Sequence, residues 1–85
     1  LRDLFCQPAA DFYAQPMLHI NCYGQVQVEN CREILLYDSS QIQLDMGRWE
    51  VTLYGDGLEL CAASRCQLLL RGRVLRTKFS YKEGN

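Results

Sequence analysis

One histidine, five cysteines and a run of cations near the C-terminus are the residues of this 85-residue chain whose types could do chemistry. His19 stands between Leu18 and Ile20, so in a strand its ring points away from theirs. As a general base it would need an orienting carboxylate and a nucleophile at hand, and no spacing in the chain supplies them. A solvated or hydrogen-bonded surface histidine is expected. Cys61-x4-Cys66 comes near a metal-ligand spacing, but structural zinc asks for two close ligand pairs. Cys22, Cys31 and His19 would complete such a site only by a coincidence of folding. The aspartates and glutamates are scattered through the chain, and Gly55-Asp56-Gly57 reads as a turn rather than a phosphate cradle. The expectation is a protein without catalytic residues, metal or cofactor, and so not an enzyme.

The cations are more informative. Arg71 and Arg73 flank Gly72, and Arg76 and Lys78 follow at strand spacing. Leu75, Thr77, Phe79 and Tyr81 share the opposite face of that strand. Residues 1–64 carry three arginines against nine carboxylates, a balance of −6, whereas residues 65–85 carry six cations against Glu83, a balance of +5. The formal net charge of −1 conceals this asymmetry. Clustered cations suit the phosphates of nucleic acid or lipid, or the carboxylates of a protein. A pI of about 5.7 argues against nucleic acid as the principal partner. A chain acidic at one end and basic at the other can instead attract copies of itself. Arg71, Arg73, Arg76 and Lys78 are the candidate partner-binding residues.

These side chains have to be positioned by strands. An alternating phrase ending in Gly or Asn occurs three times, at Val26–Asn30, Val51–Gly55 and Leu68–Gly72, each followed by resumed apolar residues. Alternation puts one face inward, and Gly or Asn tolerates the positive φ of a tight reversal. Each phrase is therefore expected to be a hairpin. Leu18–Cys22 and Ile42–Met46 alternate in the same way. The uneven spacing of Asn30, Gly55 and Gly72 excludes a solenoid. The expected fold is all-β: a compact antiparallel meander of about seven short strands over residues 17–82, as a rolled sheet or small sandwich. Residues 1–16, broken by Pro8 and Pro16, read as an irregular or short helical N-terminal arm.

A hydrophobic content of 48% fits a packed core rather than disorder, though a chain of this size has little stability to spare. An odd number of cysteines cannot be fully paired, and no apolar run reaches the roughly 20 residues of a membrane-spanning helix. Nothing resembles a signal peptide. The expectation is an intracellular protein whose cysteines pack as small hydrophobes.

The order of these markers resembles the YabP/YqfC family of sporulation proteins, the YqfC branch above all. The residues that carry the likeness are Pro8 and Pro16, then Gly24-Gln25-Val26-Gln27-Val28-Glu29-Asn30, Ile34 to Tyr37 and Ile42-Gln43-Leu44. Gly47, Val51 to Gly55, Leu58-Glu59-Leu60, Leu68 to Val74 and Phe79 complete it, so that it spans roughly residues 7–81. The resemblance implies a non-enzymatic role in spore formation, in the mother-cell cytoplasm and at most peripheral to the forespore membrane. It implies as partner the larger membrane-associated sporulation protein typically encoded beside members of this branch. Joined to the charge split, it gives a protein-interaction or assembly module that also binds itself as a homo-oligomer. The alternative is a small barrel-like domain binding nucleic acid or anionic lipid through its basic C-terminal strands.

Overall fold

The structure, a computed structural model, describes residues 15–83. Within them lie β1 (Met17–Asn21), β2 (Gln25–Glu29), β3 (Glu33–Tyr37), β4 (Gln41–Asp45), β5 (Trp49–Ser64) and β6 (Gln67–Tyr81). All pair antiparallel in one open sheet of order β1-β2-β6-β5-β4-β3. No helix occurs among the described residues. The all-β expectation is met. The expected N-terminal arm falls largely on residues outside the described ones.

The strand count is six rather than about seven, because two expected reversals are not reversals. β5 and β6 are 16 and 15 residues long and pair along their whole length. Gly55 and Gly72 lie inside them, at register shifts where the two backbones come very close. A Cβ at Gly55 would stand 1.8 Å from the Arg73 carbonyl oxygen, and one at Gly72 would stand 2.6 Å from that of Gly57. Gly72 also has φ +133°. These glycines serve bulges that bend a continuous ladder. The reversal between β5 and β6 sits instead at Arg65 and Cys66, both with positive φ (40° and 69°), the backbone of a primed hairpin turn. The first phrase is not a hairpin either: the chain bends at Asn30, with φ 62°, but β2 pairs with β1 and β6 and crosses to β3 on the far edge of the sheet.

The bend divides the sheet into two lobes. β2 pairs with β6 only at residues 67–71, and β4 pairs with β5 only at residues 50–54. The first lobe therefore holds β1, β2, the start of β6 and the end of β5. The second holds β3, β4, the start of β5 and the end of β6. Val26, Val28, Leu68 and Leu70 of the first lobe join Ile42, Leu44, Val51 and Leu53 of the second in a single buried cluster. Alternation puts these side chains on one face of each lobe, and the bend brings the faces together. The rolled-sheet expectation survives in that form: one sheet, bent, with one core. Asp38-Ser39-Ser40 joins β3 to β4, with Asp38 Oδ1 accepting from the Ser40 N–H at 2.8 Å and the Ser40 hydroxyl at 2.9 Å. Those bonds hold the Asp38 carboxyl below the usual carboxylate range.

A candidate interaction surface on the sixth strand

β6 outruns the strand beside it. β2 accompanies it as far as Arg71, and β5 covers its other side throughout. From Val74 to Tyr81, one edge of β6 has no partner strand among the described residues. Unpaired N–H and C=O groups along such an edge are a template for another strand.

The four cations expected to act together have different neighbours. Arg71 donates to Glu59 Oε1 at 3.1 Å across the β5–β6 ladder, and this partner raises its already high pKa. It is engaged within the protein. Arg73 stands opposite Asp56 in the register without an ion pair among the described residues. Arg76 lies over the ring of Tyr54, its cross-strand neighbour, at 4.3 Å from the centroid. Lys78 stands opposite the buried Thr52 and likewise makes no ion pair among the described residues. Arg73, Arg76 and Lys78 are all exposed on the strand that carries the free edge.

The apolar residues of the same segment, read as sharing the face opposite the cations, are exposed as well. Leu75, Phe79 and Tyr81 are 65%, 57% and 53% exposed. Their strand runs past the end of the first lobe, which therefore does not cover them. Trp49 packs edge-on against Phe79 and Tyr81, with ring centroids at 6.4 and 5.0 Å. Beside these rings a groove of about 700 Å³ opens between the lobes, lined by Leu18 and Ile20 on one side and by Trp49, Val51, Thr77 and Phe79 on the other. Sequence reasoning missed this groove. Its one signal was an alternating apolar run from Leu75 to Tyr81 with no equally long partner in the first half of the chain.

The other edge of the second lobe is β3, where Leu35, Leu36 and Tyr37 are also 40–48% exposed. Its surroundings are acidic. Glu33, Asp45 and Glu50 form one cross-strand row, and Asp38 follows the strand. Within this lobe Glu33 and Asp38 stand at the β3 edge and Arg76 and Lys78 on the β6 edge, while Asp45 between them is paired with Lys82 at 2.6 Å.

The remaining candidates are inert or structural. His19 Nε2 meets Glu29 Oε2 at 3.3 Å across β1 and β2, both well exposed. No group of three His, Cys, Asp or Glu among the described residues is arranged to hold a metal ion. The cysteines depart from expectation. Cys22 and Cys61 are exposed and free, and Cys66 is disulfide-bonded. Among the described residues Cys31 is the one free, buried thiol, 1% exposed, and desolvation pushes its pKa up to about 11. No helix among the described residues is long and apolar enough to cross a membrane.

Comparison with models of known protein families, with curated proteins and with solved structures finds no match to the chain.

Proposed function

We propose that this protein is a non-enzymatic interaction and assembly module, which binds acidic protein partners, itself included, along the free edge of β6. The observation that supports this reading is the segment Val74–Tyr81, which joins an edge without a partner strand among the described residues, the exposed cations Arg76 and Lys78, and the exposed apolar residues Phe79 and Tyr81. An incoming strand would gain main-chain hydrogen bonds from the edge, apolar contacts on one side and charge pairing on the other. Arg73, Arg76 and Lys78 are the contact residues in this reading. Arg71 stands behind them, since its Nε is paired with Glu59 at 3.1 Å, though its side chain stays well exposed. The role in spore formation, the mother-cell setting and the larger membrane-associated partner rest on the resemblance to the YabP/YqfC family alone.

A synthetic peptide alternating valine and glutamate is a suitable probe, followed by fluorescence anisotropy at low salt. Wild-type protein binds it, binding weakens as salt rises, and the triple variant Arg73→Glu/Arg76→Glu/Lys78→Glu loses at least tenfold in affinity. Equal binding by the triple variant, or by wild type of a valine–lysine peptide, would remove the cations from the site. Tighter binding of a single-stranded oligonucleotide or of anionic phospholipid vesicles would favour the polyanion alternative.

A further inference from the structure

The two edges of the second lobe fit each other. Five rows cross this lobe from β3 to β6, and each is fixed by the pairing registers. They read Glu33–Asp45–Glu50–Ser80, Ile34–Leu44–Val51–Phe79, Leu36–Gln43–Thr52–Lys78 and Tyr37–Ile42–Leu53–Thr77. The fifth is Asp38–Gln41–Tyr54–Arg76, in which Asp38 and Gln41 exchange backbone hydrogen bonds at 2.9 and 3.4 Å. Each row has one end on the β3 edge and the other on the β6 edge.

We infer that the occupant of the β6 edge is the β3 edge of a second copy of this chain, giving head-to-tail extension of the sheet. This deepens the assembly reading above and rests on it. The lobe is four antiparallel strands wide, so β3 and β6 run in opposite directions. A second copy laid beside the first in the same orientation therefore continues the antiparallel alternation without turning over. Its inner face also stays on the inner side. Carrying the rows straight across the junction sets Asp38 of one copy opposite Arg76 of the next, and Glu33 diagonal to Lys78. On the inner side Ile34 meets Phe79, and Tyr37 meets Thr77. Opposite charges and apolar pairs at these positions favour a ladder.

The symmetrical alternative works against itself. Two β6 edges paired about Thr77 would set Arg76 against Lys78 twice, and like charges directly opposite are unfavourable. Head-to-tail contacts build open chains, or rings where the rotation closes. A junction of five rows is also small, so association is weak and concentration-dependent.

The test is sedimentation velocity of the full chain over a concentration series at low and high salt, with two charge variants. The variant Lys78→Glu/Ser80→Glu makes the β6 edge acidic, and Glu33→Lys/Leu36→Lys makes the β3 edge basic; all four positions lie on the outer rows. Wild type should show a sedimentation coefficient that rises with concentration and falls back toward the monomer in high salt. Each variant alone should remain monomeric, because its two edges then carry the same sign. An equimolar mixture should regain assembly, since each edge of one variant again opposes its complement on the other. Regained assembly would also show that both variants are folded. A monomeric wild type at every concentration, self-assembly by either variant alone, or a mixture of soluble folded variants that stays monomeric would overturn the inference. A monomeric wild type that still binds the valine–glutamate peptide would overturn the inference and leave the interaction reading standing, whereas failure in both assays would remove both.

Discussion

The Arg76 guanidinium sits 4.3 Å from the centroid of the Tyr54 ring, on the strand opposite its own. The contact lies two strand positions from Lys78 and next to the bulge at Gly55, so it fixes a cation of the interaction surface against the element that bends the sheet. An arginine stacked on a ring has fewer rotamers to lose when a carboxylate arrives, which is preorganisation at a surface otherwise made of free side chains.

Replacing Tyr54 by leucine should therefore lower stability by about 0.5–1 kcal/mol beyond any packing loss, with Tyr54→Phe close to wild type because the ring face is retained. Urea midpoints of the two variants check this. Equal midpoints for Leu and Phe would show that the stacking contributes nothing.

Gly55→Ala should be severe, on the order of 3 kcal/mol or more, since its Cβ would stand 1.8 Å from a backbone oxygen that no rotamer change can move. Gly57→Ala is the control: φ is +62° but nothing lies within 4 Å of the added Cβ, so about 1–2 kcal/mol is expected. Thermal melts of both variants separate the two costs, and comparable losses would refute the close-approach argument.

Core and groove should part company under truncation. Leu53 is 0% exposed, and Leu53→Ala should cost about 2–5 kcal/mol of unfolding free energy. Phe79 is 57% exposed, so Phe79→Ser should cost less than about 1 kcal/mol while weakening self-association. Chemical denaturation and sedimentation on the same samples give both readings, and a large stability loss at Phe79 would mean that the groove is closed in solution.

Cys31 predicts an alkaline limit. Its folded pKa of about 11 lies above the ordinary 9.0, so the stability it contributes is complete below pH 9 and is lost as pH rises toward 11. The unfolded chain releases the proton first, and the slope reaches at most about 1.4 kcal/mol per pH unit. Cys31→Ala should lack this part of the decline when urea unfolding is compared from pH 7.5 to 11. In the native protein at pH 8, an alkylating reagent followed by peptide mapping should mark Cys22 and Cys61 and spare Cys31.

How far the fold could be read from the residues depended on how local the signal was. Val26/Val28, Ile42/Leu44 and Val51/Leu53 alternate within single strands, and all are buried where alternation put them. Asp38-Ser39-Ser40 is a turn written in three consecutive residues and stands as one, whereas Asn30 bends the chain without closing a hairpin. Gly55 and Gly72 misled because a glycine demanded by a bulge and a glycine demanded by a hairpin are the same residue. Only the partner backbone distinguishes them: at Gly55 that partner is the Arg73 carbonyl, close in space and remote in sequence. The connection read at Cys61–Arg65 is shorter in the structure: β5 runs on to Ser64, and Arg65 and Cys66 make the reversal without a glycine.

The candidate site divides in the same way. Sequence alone determined that this chain is all-β, that its charges are split −6 to +5, and that Arg76 and Lys78 share a strand face opposite Thr77 and Phe79, because these depend on composition and on a period of two. The tertiary structure decided which cation pairs with Glu59, and that Phe79 and Tyr81 stay exposed beside a groove. It also set Glu33 and Asp38 at one edge of a four-stranded lobe and Arg76 and Lys78 on the opposite edge. Those outcomes follow from where β2 and β4 end along the long hairpin, a matter of pairing between distant segments that no local pattern encodes.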